Sequence, residues 1–385
     1  MTATTTMALP KLGTTLFSFT LEMRKAGYTL EGMIDKVAEL GLGPGLEIVG
    51  FQSLRGYPRV SAEVISSFRD QCERTGLEPS AMSMNLDLGI HRGRLLDEEE
   101  ALAYLEPQIA VSQAMGFPVC KSSVIPTRSF LEGLVRILEK HGDIKFGYEV
   151  HSPMAVDSPD ILRLRELYEA IGSPLLGFTP DFSASMHSVP PSLIVAHQES
   201  GMSRELTDLA IEVWNSDTTM PQKFERFAAE APALGATPAD MGKLQMLLTM
   251  HGRQDPRRWS EIMDRVVHVH AKFYGLDARG DEPSIDNATI LGVLVDGGYA
   301  GYISSEWEGH AYTDSVSGWD MVAGQHQLFR RLLREKASCA PPDPTCSSSA
   351  AGRWARPTSG CSRGPARTST CSSSRPGRRS PTRPG

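Results

Sequence analysis

Between residues 13 and 335, eight short β-rich runs alternate with stretches of helical spacing. The runs are 13–19 (GTTLFSF), 46–50 (LEIVG), 81–85 (AMSMN), 117–123 (FPVCKSS), 145–150 (KFGYEV), 176–181 (LGFTPD), 266–273 (VVHVHAKF) and 301–306 (GYISSE). In 28–41, Leu30, Ile34, Val37 and Ala38 mark one apolar helix face, and Gly41 is a plausible stop. In 315–335, Met321, Leu328, Leu332 and Leu333 do the same. Strands separated by helices predict parallel βα units. Eight of them predict an α/β fold of the (β/α)8 TIM-barrel type rather than an open doubly wound sheet. No GxGxxG follows the first run, and GLGPG at 41–45 precedes its strand, where it reads as a helix stop and turn.

The rhythm breaks between residues 188 and 262, which hold several helical patterns and no convincing strand. This predicts a helical insertion between strands six and seven. It leaves from the C-terminal end of strand six, so it should fold over the barrel mouth or beside it. The expected organisation is a loose N-terminus at 1–10, a barrel over 11–336 and a low-complexity tail over 337–385. Residues 338–385 contain no Leu, Ile, Val, Phe, Met or Tyr, so the tail is expected to be disordered.

The tail carries eight arginines and one acid, a charge of +7, and the whole chain carries −7. Taking +7 from −7 leaves −14 for residues 1–337. An acidic body argues against a nucleic-acid surface, because phosphate contacts need Lys and Arg. No apolar run reaches the roughly 18 residues of a membrane span. The start, MTATTTMALP, lacks the basic and apolar regions of a secretory signal, so a cytoplasmic protein is expected. Cys72 and Cys120 lie in the body, and the four tail cysteines have no CxxC spacing, which argues against zinc there.

Barrel enzymes place their chemistry at the C-terminal ends of the strands. Taken in order, those ends offer Glu47, Asn85, Lys121, Glu149 with His151, Asp181, His268 and His270 with Lys272, and Glu306 with Glu308 and His310. Glu149 and His151 are two residues apart and so share a face of their strand. Three carboxylates and one imidazole from four successive strands make an O,O,O,N donor set. Such a set suits Mn²⁺, Mg²⁺ or Co²⁺, and one ion suffices. Each residue also has a plainer reading. Lys272 could be a solvated rim residue, Asp181 an N-cap and Glu47 a structural acid. One of His268 and His270 could be packed inside the barrel, and His270 lies nearer the strand end.

The motifs GYEVHSP, GFTPDFS, HVHAKF and SSEWEG resemble the xylose-isomerase-like TIM-barrel family of sugar isomerases and epimerases, over roughly residues 11–336. The resemblance implies that Glu149, Asp181, His270 and Glu306 hold one catalytic divalent ion, commonly manganese. The separations 149 to 181 and 270 to 306 are 32 and 36 residues, each about one βα unit, but 181 to 270 is 89. Many family members carry a histidine soon after the aspartate, and here His187 is displaced. The stretches GLGPGLEIVGFQSLRGYP and SMNLDLGIHRGR are most similar to the α subunits of C-glycoside deglycosidases. That subgroup pairs with a small β subunit and cleaves the carbon–carbon glycosidic bond of a 3-keto C-glycoside.

The expected activity is removal of a proton next to the carbonyl of a sugar or keto-sugar, as in an isomerase or epimerase. The alternative is elimination by a C-glycoside deglycosidase α subunit. Glu149 and Glu306 are the expected acid–base pair as well as ligands. His151 is the candidate separate base, and Lys272 the oxyanion or leaving-group partner. The expected partners are a sugar or glycoside and either a small β subunit or a second copy of the chain. Endonuclease-IV-like repair would need a multi-zinc cluster and a basic face. A non-catalytic sugar-binding barrel remains as a further alternative.

Overall fold

The computed structural model describes residues 9–338. Eight strands form a single sheet: β1 (Lys11–Thr15), β2 (Gly45–Val49), β3 (Glu78–Ser83), β4 (Val119–Lys121), β5 (Lys145–Val150), β6 (Leu176–Pro180), β7 (Val269–Phe273) and β8 (Tyr302–Trp307). Their order is β6-β5-β4-β3-β2-β1-β8-β7, and every pairing is parallel. The two end strands meet through bridges at Phe178 with Val266 and Asp181 with His270, and Val267 N–H donates to the Phe178 carbonyl at 3.0 Å. A Cβ on Gly177 would lie 2.4 Å from the Arg265 carbonyl oxygen, so only glycine lets the closing segment approach β6 this closely. With that seam shut, the sheet is the predicted (β/α)8 barrel.

The helices between strands follow their sequence signals. Ala62–Thr75 is capped by the Ser61 side chain and stops at Gly76, whose φ is 70°. Glu98–Ala114 begins on a reciprocal Asp97–Glu100 capping box. Gly318–Ser338 closes the described fold and buries Trp319, Val322, Phe329 and Leu333. The expected first strand needs a correction. The strand is Lys11–Thr15, and Leu16–Phe19 turns into a 3₁₀ helix. Thr15 caps that turn, and Ser18 leaves the sheet to accept from Trp307 N–H at 2.9 Å and to donate to the Ser305 carbonyl at 3.1 Å.

Between β6 and β7 run four helices, Pro191–Glu199, Arg204–Asn215, Met220–Glu230 and Pro238–Met250, then a 3₁₀ segment, Pro256–Arg265. They bury Leu206, Val213, Trp214, Phe227, Leu244 and Leu248. The group is tied to the strand ends: Ser152 Oγ–H donates to the Thr249 carbonyl at 2.9 Å, and Met186 N–H to the Gly252 carbonyl at 2.8 Å. Its last part is barrel wall rather than excursion. Trp259 is fully buried with its ring 5.6 Å from that of Phe182. Among the described residues, no helix is long and apolar enough to cross a membrane. The low-complexity tail expected from the composition lies outside the described residues from 339 onward, as do residues 1–8.

Candidate metal centre and proton-transfer site

Strand register decides which side chains meet. Lys272 on β7 pairs with Glu306 on β8, and Asp181, just past β6, bridges His270. Glu149 reaches the same level from β5. Glu149, Asp181, His270 and Glu306 thereby each offer a donor atom within 4.8 Å of the others. His270 Nδ1 lies 3.0 Å from both Glu149 Oε1 and Glu306 Oε2. Asp181 caps the turn at Phe182–Ala184 by accepting from Ser183 N–H at 2.7 Å. Its other oxygen, Oδ2, is buried and has no hydrogen-bond partner, although the Lys272 ammonium stands 3.4 Å away. A buried carboxylate oxygen without a partner is costly. Three carboxylates and one imidazole around it fit a divalent cation.

Beneath this cluster sits Glu47 of β2, fully buried. Its Oε1 lies 2.7 Å from His270 Nε2 and accepts from Ser83 Oγ–H at 2.9 Å, and its Oε2 lies 2.9 Å from His268 Nε2. His268 also lies 3.0 Å from Ser304 Oγ. Glu47 therefore takes the ring nitrogen of His270 opposite the cluster. That is the arrangement by which a carboxylate fixes the tautomer of a ligating imidazole. Burial disfavours the charged Glu47, but His270 and His268 outweigh it and hold the carboxyl well below its usual range. Burial likewise opposes a charged His270. Glu47, opposed by Lys121 and joined by Glu306 and Glu149, still lifts its pKa well above normal. Without an ion the imidazole holds a proton that a cation would displace.

Lys121 of β4 donates to Glu149 Oε2 at 2.9 Å. Burial would raise the Glu149 pKa, but Lys121 and His270 hold it well below the carboxylate range. Glu149 is the most open of the four, with 28 % of its side chain exposed, so it marks the approach to the cluster. On the other flank, Lys272 Nζ lies 2.9 Å from His151 Nε2, 3.1 Å from Glu308 Oε1 and 3.5 Å from Glu306 Oε2. Burial opposes its charge, but Asp181, Glu306 and Glu308 raise its pKa well above normal, so it stays an ammonium. It is 3 % exposed, which rules out a rim position. His151 Nδ1 lies 2.5 Å from the Ser152 carbonyl, and only an N–H can meet that oxygen. Its Nε2 is therefore an acceptor, and the Lys272 ammonium donates to it at 2.9 Å.

The structure thus brings together all six predicted site residues, Glu149, His151, Asp181, His270, Lys272 and Glu306. His187 stands apart, its Nε2 3.1 Å from the Pro283 carbonyl. Asn85 is structural, donating to Tyr104 Oη at 2.9 Å, and His310 packs edge-on against Phe17 and Trp307. Sequence reasoning gave Lys121 and Glu308, at strand ends, no role, and gave Glu47, inside β2, only that of a structural acid. The signal was their charge in positions that must be buried in a barrel.

The same kind of (β/α)8 barrel is found among solved structures. The structure of an L-ribulose 3-epimerase superposes with a TM-score of 0.51 at 12 % identity, over 87 % of this chain and 99 % of that one. No protein-family model matches the chain. The 3'-dehydrocarminate deglycosidase alpha subunit of a Microbacterium species is 40 % identical over 340 residues, 86 % of this chain and 97 % of its own length. A C-glycoside deglycosidase alpha subunit of Arthrobacter globiformis is 39 % identical over 342 residues, 88 % of this chain and 95 % of its own length. The chain belongs to the C-glycoside deglycosidase α-subunit family.

Proposed function

We propose that this chain is the metal-dependent α subunit of a C-glycoside deglycosidase, removing the proton beside a sugar ketone and expelling an aromatic carbon. The general chemistry, proton removal next to a carbonyl, also covers an isomerase or epimerase. One observation favours elimination: 40 % identity, over nearly the whole length of the relative, to an enzyme subunit named for deglycosylating a dehydro-glycoside.

In this reading Glu149, Asp181, His270 and Glu306 hold one ion, Mn²⁺ in the first instance, with Mg²⁺ and Co²⁺ sharing the same donor preference. Bound there, the ion supplies Lewis-acid stabilisation of negative charge on a sugar oxygen. His151 takes the proton at Nε2, the nitrogen that its Ser152 contact leaves unprotonated. The electron pair of the broken C–H bond forms a double bond to the anomeric carbon. The bond from that carbon to the aromatic ring breaks, and the ring carbon receives a proton. Lys272, 2.9 Å from His151 and held charged by Asp181, Glu306 and Glu308, is placed to donate it or to hydrogen-bond the developing anion. Glu149 and Glu306 fill the acid–base role only if the ion leaves them a free oxygen. The relatives are called alpha subunits, so a small β subunit is proposed to complete the enzyme, with self-association as the second possibility.

The test is aglycone release from a 3'-keto C-glycoside by the Mn²⁺-loaded chain, alone and with a co-expressed small β subunit, with ketoses assayed in parallel. Release that disappears in Asp181→Ala together with the bound metal supports the proposal. Epimerised ketose without aglycone release under either condition would replace it with the isomerase reading.

A further inference from the structure

A cavity of about 310 Å³ opens beside the acid–lysine cluster, between the insertion helices Pro191–Glu199 and Pro238–Met250 and the ends of β7 and β8. Its volume falls at the lower end of small-molecule sites, about 300–1,000 Å³. Leu193, Met246, Leu247, Met250, Tyr274 and Tyr312 give it an apolar, partly aromatic wall. Glu308 also lines it, and Glu308 accepts from Lys272 at 3.1 Å, so the cavity and the proposed proton-transfer pair share a wall.

Two histidines in that wall have unfinished chemistry. His197 is 7 % exposed and His251 is 5 % exposed, and the Nε2 of each has no hydrogen-bond partner. His251 Nδ1 lies 2.8 Å from the Leu247 carbonyl, so Nδ1 carries the hydrogen and Nε2 is an acceptor waiting for a donor. A buried acceptor with no partner is costly unless something fills it. The His251 ring packs against Tyr274 at 4.9 Å, one residue beyond the end of β7.

Resting on the deglycosidase reading above, we propose that this cavity is the aglycone subsite and receives the flat hydroxylated aromatic part of the C-glycoside. The sugar lies over the cluster of Glu149, Asp181, His270 and Glu306, and the bond to be broken lies at the shared Lys272–Glu308 wall. A sugar would need hydrogen bonds on every edge; Leu193, Ala196, Met246, Leu247, Met250 and Ala311 offer none, and Ser200, Lys243 and Glu308 serve only part of the wall. A phenolic ring system needs apolar faces and a few acceptors for its hydroxyls, and Glu308 and His251, whose Nε2 is an acceptor, line the cavity. The insertion thus sets which aromatic group is accepted, while the strand ends carry the chemistry.

The experiment uses the full metal-loaded chain and the hydroxyflavone apigenin, with glucose as the sugar control, followed by calorimetry. Ala196→Trp fills the cavity from the helix Pro191–Glu199. Met246→Glu puts a charge at a position that is 61 % exposed and so leaves the fold intact. Apigenin should bind the natural chain, and each variant should weaken it at least tenfold with metal content unchanged. If the keto-glycoside is turned over, both variants should raise KM with little effect on kcat. Unchanged apigenin affinity in folded Met246→Glu, or displacement of apigenin by glucose, overturns the subsite. Loss of apigenin binding in the variants when no keto-glycoside is ever cleaved sinks the deglycosidase reading and leaves the aromatic cavity standing.

Discussion

Removing the Glu47 carboxylate should loosen the metal and weaken the fold at once, and the two effects can be measured separately. Glu47 is fully buried and meets His270 at 2.7 Å, His268 at 2.9 Å and Ser83 at 2.9 Å. In Glu47→Ala the Nε2 of His270 faces a void, and nothing fixes which ring nitrogen bears the hydrogen. Losing such an outer partner costs about 10–100-fold in metal affinity, or roughly 1.4–2.7 kcal/mol. Breaking a buried charge network costs a further ~3–5 kcal/mol of folding stability. Glu47→Gln keeps the volume and one acceptor. It can take the His270 N–H on its carbonyl but must turn its amide toward His268, so it should fall between the two. The assay is Mn²⁺ titration by calorimetry, paired with urea unfolding of the metal-free protein. Glu47→Ala with metal affinity within twofold of the natural chain would refute the claim that Glu47 orients a ligating His270.

His326 should give the fold an acid-sensitive slope. Burial pushes its pKa down from 6.5 to about 4, and its Nε2 contacts the Gly13 carbonyl at 3.1 Å. The unfolded chain takes up a proton below pH 6.5 and the folded one only near 4, so stability is whole above 6.5 and lost as pH falls through that window, by up to about 3 kcal/mol. His326→Leu should flatten that slope in denaturant titrations between pH 7 and 4.5, leaving the share of His251, which is also lowered to about 4. Asp181→Ala should lose the metal and some folding stability, since it removes the cap on Ser183 N–H and a charge facing Lys272 as well as the unpartnered oxygen. Full metal occupancy in the purified variant would disprove its role as a ligand. Deleting residues 339–385 should leave the unfolding midpoint and turnover unchanged, because a segment with no Leu, Ile, Val, Phe, Met or Tyr has little to bury. A large fall in either would show that it docks on the barrel.

The βα alternation was legible because its physical cause is local. Strands buried on both faces read as short apolar runs, and the helices between them carry one apolar stripe. The first strand was misplaced because GTTLFSF suits a strand throughout, whereas Ser18 bonds to Ser305 and Trp307 about 290 residues away and bends the chain out of the sheet. The meeting of Glu149, Asp181, His270 and Glu306 was legible because a barrel forces strand ends together. Glu47 was not, because an acid inside a strand gains its meaning only when β7 delivers two histidines to it. The cavity was invisible for the same reason: Met246, His251 and Tyr274 look like separate helix and loop residues until the insertion folds back on the barrel.

That folding back connects stability with function. If 188–262 were ornament, its removal would leave the barrel unharmed. The structure divides the segment in two. Pro256–Arg265 is wall: the adjoining Val266 bridges Phe178, the Arg265 carbonyl oxygen lies 2.4 Å from where a Gly177 Cβ would be, and Trp259 is buried against Phe182. Residues 191–250 touch the strand ends through a few bonds, such as Ser152 to the Thr249 carbonyl and Tyr274 to the Met250 carbonyl, and carry most of the cavity wall. Replacing 191–250 with a Gly/Ser linker should therefore keep the barrel and its metal but abolish aglycone binding and turnover. Extending the replacement to 262 should also collapse the seam between β6 and β7. Thermal unfolding, metal content and keto-glycoside turnover, measured on both deletions, distinguish these outcomes. Normal turnover in the shorter deletion would show that the insertion does not serve the reaction.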